Sequence, residues 1–99
     1  MSAVVVQYRV KPDRAEQNAE LVRAVYAELA QQQPPGFRYA TFVLDDGVTF
    51  MHVATTDVGH EAPLPQLPAF KAFVADIAER CDEPPSTTRM STQVGSYRL

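Results

Sequence analysis

The sequence predicts one α+β domain over residues 1–99 with the order β-α-β-β-α-β, a four-stranded antiparallel sheet carrying two helices on one face. Three observations predict it. Residues 37–57 read as a β-hairpin whose arms, 37–44 and 48–57, are rich in aromatic and β-branched residues and meet at Asp45-Asp46-Gly47. A helical repeat of apolar residues lies on each side of that hairpin. Each helical stretch is flanked on its far side by a further alternating stretch, 3–10 and 87–97. The Asp46-Gly47 pair points to a type I′ turn, with positive φ at both central residues.

Taken in order, the first strand places Val4, Val6, Tyr8 and Val10 on one face and Val5, Gln7 and Arg9 on the other. The third strand groups Val48, Phe50, His52 and Ala54 against Met51 and Val53. Neither face of this sheet reads as solvated, although an antiparallel sheet in a monomer often has one wet face. Helices on one face and a second subunit on the other form the simplest cover. The first helix starts after Pro12, with Asp13 as a candidate N-cap and Glu16 at capping-box spacing. Its stripe runs through Ala15, Asn18 or Ala19, Val22, Val25, Tyr26 and Leu29. It ends in Gln31-Gln32-Gln33, because Pro34-Pro35 cannot continue it and Gly36 frees the backbone to turn. Residues 58–68 hold Gly59, His60, Pro63, Pro65 and Pro68, a stiff connection long enough to serve as a lid. Pro68 suits the first position of the second helix, whose stripe is Phe70, Phe73, Val74, Ile77, Ala78 and Cys81, with Arg80 off it and Pro84-Pro85 as its stop. The fourth strand, 87–97, is the most polar and is expected at an edge or subunit boundary, beside the first strand in the ferredoxin-like order 4-1-3-2.

Composition narrows the function. The net charge is −3 and Lys and Arg are not clustered, which argues against a nucleic-acid partner. The chain has one cysteine and no Cys/His group with zinc-ligand spacing, so neither an internal disulfide nor a metal site is expected. No two of the four glycines lie close together, so there is no phosphate-cradling loop. The first residues do not form a signal peptide, and no apolar run approaches the roughly 20 residues that span a bilayer. A cytoplasmic protein with no membrane contact is the expectation.

These features resemble the dimeric α+β barrel superfamily, and within it the antibiotic-biosynthesis-monooxygenase-like group. The carriers are Val10-Lys11-Pro12-Asp13 at the end of strand 1, Pro35-Gly36 before strand 2, the Asp46-Gly47 turn, the Thr55-Thr56-Asp57 end of strand 3, and a proline-bearing segment leading into a helix with Phe70 and Phe73. The resemblance implies a homodimer with facing sheets and a lumen in each subunit that holds a flat organic molecule. It implies cofactor-free oxidation of aromatic substrates in some members, and in others haem degradation or action on quinones or small carbonyl compounds. Departures are plain. There is no Trp, the only Asn is Asn18 on helix 1, strand 1 has Gln7 and Tyr8 where haem-degrading members have Asn, and helix 2 lacks their His. Haem degradation is therefore disfavoured.

Individual residues can carry chemistry within this frame. His52, between Phe50 and Ala54 on its face, is the candidate base or anchor, with Tyr8 and Arg9 as catalytic partners. Tyr39, Arg38, Phe50 and His60 are candidate substrate contacts. Each has a plain structural alternative: packed aromatic, core histidine, or solvated ion pair. Cys81 reads as a small core residue of helix 2. Three functions stay open. The first is a cofactor-independent monooxygenase-like protein acting on a small aromatic or quinone-like molecule. The second is a non-catalytic small-molecule-binding module of the same fold. The third is a structural dimer with a filled lumen.

Overall fold

The computed structural model describes residues 1–98. Its elements are β1 (Ser2–Val10), α1 (Ala15–Gln32), β2 (Phe37–Val43), β3 (Thr49–Thr56), α2 (Pro68–Ala75), the single-turn α3 (Ile77–Arg80) and β4 (Cys81–Met90). Short 3-10 turns at Pro12–Arg14 and Leu64–Gln66 lead into α1 and α2. The four strands form one antiparallel sheet in the order β2-β3-β1-β4, the predicted order read from its other edge. Among the described residues no helix is long and apolar enough to cross a membrane.

Register decides which side chains meet. Tyr8 lies opposite Phe50 and Val6 opposite His52 across β1 and β3. Thr41 lies opposite His52, and Tyr39 opposite Ala54, across β2 and β3. Because the strand period is two, these residues share the helix-covered face. The core there joins Tyr8, Val10 and Phe50 of the sheet to Val22 and Val25 of α1, Phe73 of α2 and Leu67. The stripe predicted for α1 is therefore the buried one. Val5, Gln7, Arg9, Arg38, Phe42, Met51 and Val53 lie on the opposite face, which no helix covers, and Phe42 is 57% exposed.

Four expectations are corrected. First, the hairpin turn is not type I′. Gly47 alone has positive φ (+76°), and its N–H bonds back to the Leu44 carbonyl at 2.9 Å. The Asp46 carboxylate accepts the Val48 and Thr49 N–H groups, a local cap that stands in for positive φ at Asp46. Second, Asp13 lies inside the 3-10 turn, and α1 begins at Ala15 with no side-chain cap.

Third, the second helix stops at Ala75, not at Pro84-Pro85. Asp76 leaves the helical region (φ −120°, ψ 23°), and only one further turn, α3, follows. Cys81 thus opens β4 opposite Val10 instead of closing a helix. Fourth, β4 runs Cys81–Met90 and not 87–97. Two prolines did not forbid a strand here because β4 is an edge strand, where a missing N–H faces no partner. Pro84 and Pro85 together stand opposite Tyr8, between the pairs Gln7–Ser86 and Arg9–Glu83, as a bulge.

Candidate functional site

The helix-covered face buries a chain of polar groups running from α3 to β2. Arg80, 1% exposed, directs its Nε–H at Asn18 Oδ1 (3.1 Å) and an Nη at the Phe73 carbonyl (2.5 Å). Its guanidinium carbon also sits 5.4 Å from the Phe73 ring centre, a cation–π contact. Asn18, fully buried, gives Nδ2–H to Tyr8 Oη at 2.9 Å. Tyr8 Oη lies 2.8 Å from His52 Nε2. On the other edge of the imidazole, Nδ1 lies 2.6 Å from Tyr39 Oη and 3.0 Å from Thr41 Oγ1, which in turn meets Tyr26 Oη at 2.8 Å. Five elements contribute: α3, α1, β1, β3 and β2.

Burial governs the electrostatics. It pushes the Tyr8 and Tyr39 phenols well above the ordinary tyrosine range, so both stay protonated. It lowers His52 from 6.5 to about 4, so the imidazole is neutral at physiological pH. Among the described residues Arg80 has no carboxylate partner. Two oxygen acceptors and an aromatic face carry its charge instead. Aromatic packing holds the geometry: Tyr8 stacks on Phe50 at 5.7 Å and Tyr39 on Tyr26 at 5.2 Å.

Over this chain lies a cavity of about 170 Å³. Val4, Val6, Tyr8, Tyr39, His52 and Ala54 form its floor, and Leu64, Phe70, Phe73, Val74, Ile77 and Pro85 its walls and roof. Its lining is apolar apart from the edges of the two phenols and the imidazole. The 3-10 turn at Leu64–Gln66 puts part of the expected lid segment on its wall.

Four of the sequence-predicted residues meet here: His52, Tyr8, Tyr39 and Phe50. Three do not. Arg9 projects from the opposite face and pairs with Glu83 at 2.9 Å. Arg38, also on that face, pairs with Asp57 at 3.1 Å. His60 sits exposed on the loop beside Gly36. In return the structure brings in Asn18, Arg80 and Thr41. Asn18 carried a signal, a polar residue on an apolar stripe. Arg80 carried a weaker one. It is seven residues past Phe73 and three past Ile77, so helical spacing itself puts it on the apolar stripe, contrary to the expectation that it lay off it. Among the described residues no group of three His, Cys, Asp or Glu is placed to hold a metal.

Fold and site together define a class: a split βαβ domain with a small apolar cavity between sheet and helix, floored by a neutral tyrosine–histidine–tyrosine chain. No family model matches the sequence, and none of the curated proteins does either. Solved structures do match. One is a "putative antibiotic biosynthesis monooxygenase" from Nitrosomonas europaea, with TM-score 0.76 and 19% identity over 93% of this chain and 98% of that one. Another is Rv0793 from Mycobacterium tuberculosis, with TM-score 0.73 and 16% identity over 97% and 98%. A third, from Caulobacter crescentus and of the same description as the first, has TM-score 0.69 and 17% identity over 93% and 89%. The chain thus shares the fold of these solved structures.

Proposed function

We propose that the protein binds one small aromatic or quinone-like molecule in the cavity between the sheet and α2, with Tyr39, Tyr8 and His52 as its polar contacts. The observation that carries this is the cavity itself, about 170 Å³ with apolar walls beside three buried polar groups. An apolar cavity of about 150 Å³ accommodates benzene, so one ring fits and a fused polyketide or haem does not. The same volume speaks against a lumen filled by side chains. The test is a thermal-shift series with phenol, catechol, benzaldehyde and naphthol. Single rings should raise the melting temperature and naphthol should not. A protein that responds to none of them, or to naphthol best, refutes the reading.

A second reading, a cofactor-independent monooxygenase, is favoured by the names of the structural neighbours. Here the protein's work would be to stabilise a substrate anion with the Tyr39 hydroxyl. His52, at a pKa of about 4, is a weak proton acceptor and would orient the phenols rather than deprotonate the substrate. Oxygen consumption with catechol or hydroquinone, lost in Tyr39→Phe, supports catalysis. Binding without oxygen consumption leaves a binding module. In either case we propose a homodimer joined through the open sheet face at Val5, Met51, Val53 and Phe42. Sedimentation of Phe42→Lys should then show a weakened dimer.

A further inference from the structure

The proton order along the buried chain can be counted from one end. Arg80 has donors and no acceptor, so the Asn18 atom facing its Nε is the oxygen, and Nδ2 faces Tyr8. Tyr8 Oη therefore accepts from Asn18, and its own proton has one acceptor within reach, His52 Nε2. A neutral imidazole carries a single N–H. With Nε2 accepting, that proton sits on Nδ1 and points at Tyr39 Oη and Thr41 Oγ1. Tyr39 accepts from the ring, so the Tyr39 proton is not used on the ring. Thr41 Oγ1 is already engaged by the ring and by Tyr26.

The reverse order would place the proton on Nε2 and let Tyr39 donate to Nδ1. Tyr8 would then accept twice, from Asn18 and His52, and its proton would be orphaned. Both phenols border the cavity, but Tyr8 is 2% exposed with its hydroxyl enclosed by Asn18 and His52, whereas Tyr39 is half-buried, so a free proton is less costly at Tyr39. An orphaned buried donor is costly, so the order that places the free proton at Tyr39 is the stable one.

We infer that the cavity is ordered to receive a hydrogen-bond acceptor from its ligand, a ring bearing a carbonyl-type oxygen rather than a hydroxyl, and that Asn18, held by Arg80, sets that order. This rests on the reading that the cavity takes a single ring. A carbonyl oxygen accepts the Tyr39 proton and leaves nothing unpaired. A phenol brings a second proton into an apolar space, and one of the two hydroxyls goes without a partner. Asn18 and Arg80 touch no ligand. They are positioning residues acting through Tyr8 and His52.

An isosteric change tests this. In Asn18→Asp, both carboxylate oxygens accept, one from Arg80 and one from Tyr8. Tyr8 then turns its proton away from His52, the ring protonates at Nε2, and Tyr39 donates to Nδ1. The cavity loses its donor and gains an acceptor. The first measurement is the tautomer of His52 by ¹⁵N NMR of the ligand-free wild-type protein. Nδ1–H is expected, and Nε2–H overturns the inference whether or not any ligand binds. The second is the affinity for benzaldehyde against phenol. Wild type should bind benzaldehyde at least tenfold more tightly, Tyr39→Phe should lose the difference, and Asn18→Asp should reverse it. Equal affinities in the wild type, or a preference for phenol, overturn the inference with the cavity reading intact. A wild-type protein that binds neither probe overturns the cavity reading and the ligand class with it. If Asn18→Asp fails to fold, the wild-type tautomer and the Tyr39→Phe comparison still decide.

Discussion

Acidification should destabilise this protein through His52. The imidazole is 5% exposed, and burial holds its pKa at about 4 against 6.5 for the free side chain. The unfolded chain takes up a proton as pH falls past 6.5, and the folded chain does not until about pH 4. Between those values the unfolded state binds more protons, so stability rises with pH. The contribution is complete above pH 6.5, is lost as pH falls through the window, and is gone below about 4. At about 1.4 kcal/mol per pH unit, the window is worth about 3 kcal/mol, to order of magnitude. That is a large part of the roughly 5–15 kcal/mol that holds a domain together. The physical cause is burial, which strips the imidazolium of its hydration. The assay is urea denaturation between pH 4 and 7.5 for wild type and His52→Gln. Carboxylates titrate in both proteins, so the difference between their pH profiles isolates the histidine. Wild type should lose about 3 kcal/mol more than the variant across this range. Parallel profiles, or an NMR titration placing folded His52 near 6.5, would refute the reasoning.

Other perturbations probe the same architecture. Arg80→Met removes the donor to Asn18 Oδ1 and to the Phe73 carbonyl. Two buried acceptors left orphaned cost about 1–3 kcal/mol each, partly offset by no longer burying a cation, so a net loss of about 2–3 kcal/mol in urea is expected. An unchanged midpoint would show that the guanidinium's desolvation cancels its hydrogen bonds. Gly36 has φ +70°, and a Cβ there would lie 2.6 Å from the His60 ring. Gly36→Ala should therefore cost about 2 kcal/mol or more, and adding His60→Ala should return the steric part and leave about 1–2 kcal/mol of backbone strain. Simple additivity of the two changes would deny the contact. Burial raises the Cys81 thiol pKa, so iodoacetamide should modify the folded protein far more slowly than the urea-unfolded one; equal rates would contradict its packing against the core.

The element order was legible because local periodicity writes it. The apolar stripe of α1, the alternation of β1 and β3, and the turn residues around Gly47 each follow from patterns a few residues long. The alternation of faces within each strand followed too, but which face of β1 meets His52 was set by the pairing register, not by the period. Local rules gave way where the tertiary structure made an exception. Pro84-Pro85 reads as a stop, yet an edge strand tolerates both. The Phe70–Cys81 stripe reads as one helix, yet Asp76 breaks it. Arg9 and Arg38 look like anion binders in sequence, yet parity sends them to the face opposite His52.

Local patterns carried the β-α-β-β-α-β order, the hairpin, and the alternation of faces within each strand. Packing alone brings Asn18 to Tyr8 and Arg80 to Asn18. Those residues lie 10 and 72 positions away from Tyr8 along the chain. No periodicity couples them. Their meeting is set by how α1 and α3 pack on the sheet, where a buried guanidinium must find acceptors or lose the free energy of its hydration.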